Sequence, residues 1–233
     1  MCVEHEDDHL TDHAWVAARL REDLGEHHFE FLNGDIPIRM GDDETTAGEN
    51  IDDDQDRYGY LGEPSDVRQY QELLDGLIDV VQSQGPFDGI MGFSEGGIIA
   101  ATLLVEDSRR PFANFKCGIF FSAAPPLDPD DLAAGIVRSL DPAKDAVSIF
   151  IPTAHVYSHE STTRTDVQSP LQKVWAEIGW STPEQVHSSL ARLCDNRQVF
   201  VHDQGHQVPG QRDQQALRGT LRVIDRTIKT AED

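Results

Sequence analysis

Ser94 stands in the pentapeptide Gly92-Phe93-Ser94-Glu95-Gly96, and a further glycine, Gly97, follows at once. A serine hydroxyl is a poor nucleophile unless a base takes its proton, so the pattern directs attention to a histidine. The context of Ser94 is strand–turn–helix: apolar Phe87 to Met91 precedes it and apolar Gly97 to Val105 follows. A serine on such a turn is held in strained backbone geometry, and side chains two residues before and after it would clash. Gly92 and Gly96 remove those side chains, and Gly97 lets the helix approach the sheet. The hydroxyl then sits at a helix N-terminus, where the Glu95 N–H is placed to meet a developing oxyanion. The bland alternative is a Gly-rich turn with a helix-capping serine.

The base is expected late in the chain, because the order serine, acid, histidine goes with this kind of turn. Gly205-His206-Gln207-Val208-Pro209 meets that expectation, after the short strand Val199 to His202 and before the last helix. A loop at the C-terminal end of a strand faces the ends of its parallel neighbours. His202 reads as a structural residue inside its strand. His155 and His159, flanking another strand, read as packing or surface residues.

These residues need a scaffold, and the pattern around them supplies one. Helical stripes run from Thr11 to Leu24, from Asp66 to Gln82, over Leu171–Ile178 and Glu184–Cys194, and from Arg212 to Lys229. Strand candidates are Phe29 to Leu32, Phe87 to Met91, Phe115 to Ser122, Ser148 to Tyr157 and Val199 to His202. Several are apolar on both faces. Alternation with helices then predicts an α/β fold, a mainly parallel sheet with helices on each side, as a single domain over residues 1–233. Leu127 to Ala134 reads as a loop and helix start above the sheet.

Charge narrows the function. The 233 residues carry a formal net charge of −23, and residues 1–57 hold 18 acidic against 4 basic side chains. Residues 41–57 contain almost nothing apolar and read as an acidic loop. Such a surface repels a phosphate backbone and anionic lipid, so no nucleic acid and no membrane is expected as a partner. Solubility or salt adaptation accounts for the charge, with a basic partner as the other reading. Cys2, Cys117 and Cys194 cannot all pair within the chain and form no C-x-x-C, which suggests a reducing compartment. The opening MCVEHEDDHL lacks the apolar and basic regions of a signal peptide, so a soluble cytoplasmic protein is expected. His5, His9 and His13 recur at a spacing that could line one helix face and hold a divalent metal; a frayed acidic segment is the reading preferred, with no metal and no cofactor.

Gly-Pro-Phe-Asp-Gly-Ile-Met-Gly-Phe-Ser-Glu-Gly at 85–96 resembles the fungal-type serine hydrolase (FSH) family of the α/β-hydrolase superfamily. Phe115–Ser122, Ile151-Pro-Thr-Ala-His-Val156 and Gly205-His-Gln-Val-Pro209 support the resemblance, in the expected order. It implies an α/β-hydrolase-like fold and hydrolysis of an ester or thioester by a Ser-His-acid triad. Members include carboxylesterases and thioesterases, some releasing polyketides from fungal megasynthases. The resemblance thus implies a small-molecule or carrier-bound acyl substrate, with a polyketide synthase as a partner in secondary metabolism.

Two departures from the family pattern matter. The family opens with a strand and a Leu-His-Gly loop that gives the second oxyanion N–H; here only Cys2-Val3 and His5 resemble it, the first strand is shortened or missing, and acids replace glycines. The second donor is therefore unassigned. The family acid is an Asp shortly after the strand ending in His-Val, and here counting forward lands near Ser161; Asp166, or else Glu160, is the expected acid. Residues 161–183 are longer than the pattern requires and could form an inserted lid element. Two other readings follow: an impaired hydrolase-fold binding or accessory protein, and a lyase or cyclase using His206 as base in the same pocket.

Overall fold

A computed structural model describes residues 1–4, 24–25, 27–34, 36–37, 58–159, 169–210 and 213–232. The helix expected over Thr11–Leu24, the acidic loop at 41–57, the histidines at 5, 9 and 13, and both candidate acids, Glu160 and Asp166, lie outside these residues.

Among the described residues, six strands form one parallel sheet: β1 (Cys2–Glu4), β2 (Phe31–Asn33), β5 (Gly89–Phe93), β6 (Cys117–Phe121), β7 (Thr153–Ser158) and β8 (Arg197–His202), in the order β2-β1-β5-β6-β7-β8. Two further strands, β3 (Ile36–Pro37) and β4 (Tyr58–Gly59), pair antiparallel. The first strand is thus present and short. Its three residues pair with β2 on one side, and Val3 aligns with Gly92 of β5 on the other.

The helices among the described residues are α1 (Val67–Gln84), α2 (Ser94–Arg109), α3 (Pro129–Ala133), α4 (Gln172–Ile178), α5 (Pro183–Arg192) and α6 (Gln214–Glu232). Side chains alternate across each strand, which divides the core in two. Phe120 packs with Ile98, Leu103, Tyr70 and Leu190 from α2, α1 and α5. Its neighbours Ile119 and Phe121 point the other way and pack with Val223 and Ile224 of α6. Helix α2 is buried from Glu95 through Glu106, as its all-round apolar sequence requires. By contrast, α6 buries a stripe of Ala216, Leu217, Thr220, Val223, Ile224 and Thr227 and exposes Arg218, Arg222, Asp225 and Arg226.

Boundaries move where side-chain pattern and backbone pairing disagree. The strand expected at Phe87–Met91 runs Gly89–Phe93, straight into the serine turn. Residues 148–152 make only an isolated bridge, Ile149 to Cys194, because Pro152 cannot donate to a ladder; β7 begins at Thr153. His155 lies inside β7 rather than beside it. The helices expected at 184–194 and 212–229 begin and end one to three residues differently. Thr182 and Gln185 close a capping box that starts α5 at Pro183.

Asp107, near the end of α2, organises the path into β6. Its Oδ1 accepts from the N–H groups of Phe112 and Ala113 at 2.8 Å and of Asn114 at 3.3 Å, and Oδ2 accepts from Phe115 N–H at 3.3 Å. Asp107→Ala leaves these amides without a partner and is expected to lower stability by about 2–3 kcal/mol, with Asp107→Asn milder. Urea denaturation midpoints check this; equal midpoints for all three proteins contradict it.

Buried histidines make stability depend on pH. His155 Nε2 lies 3.0 Å from Thr153 Oγ1 and its ring packs on Phe120, and burial pushes its pKa from 6.5 down to about 3. Its folded value is depressed, so the stability tied to neutral His155 is fully present above pH 6.5. It declines as pH falls below 6.5 and is gone once pH has passed through about 3. Melting temperature is therefore expected to fall between pH 6.5 and 4.5, with a shallower slope in His155→Phe. Equal slopes would contradict the assignment.

Candidate active site

The turn between β5 and α2 is built by close approach. A Cβ on Gly92 would stand 2.4 Å from the Gly96 carbonyl oxygen and 2.6 Å from Gly97 Cα. A Cβ on Gly97 would stand 2.3 Å from Ala123 Cβ, so this glycine lets α2 rest against the chain leaving β6. Between them Ser94 has φ +52°, a left-handed conformation that costs a non-glycine residue free energy. It is the first residue of α2. The amides of a helix's first turn have no intrahelical acceptor, and the Glu95 N–H belongs to that turn.

His206 follows β8 on the loop facing this turn. Its Nε2 lies 3.0 Å from Ser94 Oγ. With Nε2 unprotonated, the serine O–H donates to it, the arrangement in which a base can take the proton. The His206 ring is flanked by Phe93, with centroids 5.1 Å apart, and by His187 of α5 at 6.2 Å. The sequence pattern named Ser94, His206 and the Glu95 N–H, and the fold gathers them at one end of the parallel sheet. Asp166 and Glu160, the two carboxylates expected to orient His206, are not among the described residues. Nor is the chain that continues from β1, where the second oxyanion donor is expected.

Other histidines stand apart from the pair. His155 is buried within β7 with its ring against Phe120 of β6, and His159 makes an exposed 3.1 Å contact with Glu184. His202 is buried at the end of β8, where Nδ1 accepts from Gln204 N–H at 3.1 Å. Cys117 and Cys194 are free and buried, and burial pushes the Cys194 thiol up to about 12, so neither is a nucleophile.

Glu95 does more than lend its N–H. Its side chain is buried, and Oε2 accepts from Tyr60 N–H at 3.3 Å. Tyr60 O in turn accepts from Gln69 Nε2 at 2.9 Å, and the Tyr70 hydroxyl donates to Gly62 O at 2.5 Å. The loop at 60–62 is thereby fastened to both α1 and the serine turn. The buried carboxylate is committed to a backbone amide of that loop.

His187 is the site residue that the sequence pattern did not single out. It sits on the buried face of α5 with Val186 and Leu190, where a histidine reads as a core residue. Only the tertiary fold brings it to His206.

A parallel sheet flanked by helices, with a strained serine between its central strand and a buried helix and a histidine beyond the last strand, is an α/β-hydrolase. The family model described as "Serine hydrolase (FSH1)" matches residues 16–217, and the chain belongs to that family. "Esterase FPY3" of Fusarium mangiferae is 26% identical over 195 residues, covering 78% of this chain and 74% of that protein. "Hydrolase phiM" of Fungal sp. (strain ATCC 74256) is 28% identical over 166 residues, with 69% and 71% covered. "Esterase alnB" of Emericella nidulans is 31% identical over 221 residues, with 72% and 75% covered. The chain is thus a serine hydrolase of the α/β-hydrolase fold. Among the described residues no helix is long and apolar enough to cross a membrane.

Proposed function

We propose that the protein hydrolyses an ester or thioester by acyl transfer through Ser94. The observation that carries this reading is the 3.0 Å contact between Ser94 Oγ and His206 Nε2. Ser94 Oγ attacks the acyl carbonyl as His206 takes its proton, and the tetrahedral oxyanion is met by the Glu95 N–H. His206 returns the proton to the departing alcohol or thiol, leaving an acyl-serine. Water then attacks that ester, His206 accepting its proton and giving it back to Ser94, and a carboxylic acid leaves. Asp166 or Glu160 is the acid proposed to orient His206. The family resemblance favours a small-molecule or carrier-bound acyl substrate, including a polyketide-type chain, over nucleic acid or lipid surfaces.

The test is labelling with a fluorophosphonate probe. The wild-type protein is expected to label at Ser94, and a folded Ser94→Ala variant is expected to remain unlabelled. Equal labelling of both removes Ser94 from the role. Parallel assays on a p-nitrophenyl ester and an acyl-pantetheine thioester separate carboxylesterase from thioesterase activity. Uptake of ¹⁸O from water into the acid product counts against a lyase or cyclase.

A further inference from the structure

His187 has one ring nitrogen committed and the other open. Nδ1 lies 3.0 Å from the Ala123 carbonyl oxygen, which can only accept, so Nδ1 carries the hydrogen and donates. Burial first, and then the neighbouring His206 and His202, hold the ring neutral by pushing its pKa down to about 4. Nε2 is then a bare lone pair. It has no hydrogen-bond partner among the described residues. Among the described residues the unpartnered side-chain atoms that are wholly enclosed are Ser122 Oγ, His202 Nε2 and Thr220 Oγ1; His187 Nε2 is not one of them, and His187 as a whole is 8% exposed. The ring stacks on His206 with centroids 6.2 Å apart and lies tilted against Tyr157 at 5.7 Å.

Resting on the acyl-transfer reading above, we propose that His187 Nε2 is a specificity-determining acceptor, which recognises a hydroxyl carried by the acyl chain a few bonds from the scissile carbonyl. The position follows from geometry: His187 packs on the base, and the base touches the nucleophile at 3.0 Å. A donor role is excluded because Nε2 has no hydrogen. A second proton-transfer role is disfavoured, because a ring this reluctant to protonate takes no proton from the reaction near neutrality. What remains is pairing with a donor. A pocket with a fixed acceptor favours the substrate that brings a hydroxyl over the analogue that lacks one.

The experiment compares p-nitrophenyl 3-hydroxybutyrate, as each enantiomer, with p-nitrophenyl butyrate, each rate normalised to its hydroxide-catalysed hydrolysis. The wild-type enzyme is expected to favour one hydroxy ester about tenfold in kcat/KM, the size of one neutral hydrogen bond. His187→Asn can place its amide N–H where Nδ1 donates to Ala123 and has no atom at the Nε2 position, so the ratio is expected to fall to about one. His187→Gln, which can reach the Nε2 position with its amide oxygen, is expected to keep part of the preference. Turnover of both esters at equal normalised kcat/KM by wild type overturns the assignment, as does an unchanged ratio in folded His187→Asn; either result leaves the Ser94–His206 reading standing. No turnover of either ester, with no label on Ser94, overturns both.

Discussion

Ser94→Ala is expected to lower kcat/KM for an ester substrate by roughly 10⁴–10⁶-fold, and His206→Ala by a similar factor. The double variant should be little slower than either single one. Nucleophile and base act as a unit through the 3.0 Å contact, so removing one makes the other idle. Additive losses would mean that the two residues serve different steps. The same position has an opposite effect on stability. Ser94 is held at φ +52°, which glycine adopts without penalty. Ser94→Gly should therefore also abolish turnover while raising the stability of the fold relative to Ser94→Ala. Strain is retained at this residue because the turn aims the hydroxyl, and thermal denaturation of the two variants measures it.

The second large effect concerns Gly92. An alanine methyl there would lie 2.4 Å from the Gly96 carbonyl oxygen and 2.6 Å from Gly97 Cα, both backbone atoms. No side chain can rotate away to make room, so strand and helix must separate. Gly92→Ala is expected to cost roughly 3 kcal/mol or more. Any folded fraction should also react slowly with a fluorophosphonate, because the separation moves Ser94 from His206. A variant with wild-type stability and labelling rate would show that the turn tolerates a side chain there. Gly76, in the exposed middle of α1, is the control: a Cβ there meets nothing within 4 Å, and Gly76→Ala should be neutral or stabilising.

How much of this was legible beforehand depends on whether the signal was local. The serine turn could be read because its glycines, apolar strand and apolar helix are contiguous. His206 could be read because its Gly-His-x-Val-Pro setting and its place after the last strand fix it on the right loop. The parallel sheet followed from strands such as β6, apolar on both faces. The beginning of β7 was misplaced because Ser148 to Ile151 is as apolar as a strand, while the ladder depends on donors that Pro152 lacks. His187 was invisible because a histidine on the buried stripe of α5 has the same sequence signature whether it faces inert core or a reactive imidazole. The family resemblance supplied what spacing could not, a reaction class, and the match over residues 16–217 carries it to the level of serine hydrolase.

The positions of Ser94 and His206 bear on how the molecule assembles. The two residues are separated by 112 positions in sequence, and β6 and β7 lie between the strands that carry them. Their contact closes only after the sheet has been completed out to β8. Local helices such as α1 form early, while contacts of this span are the slow ones. Turnover is therefore a more demanding reporter of refolding than helical circular dichroism, since it registers the arrival of the last strand.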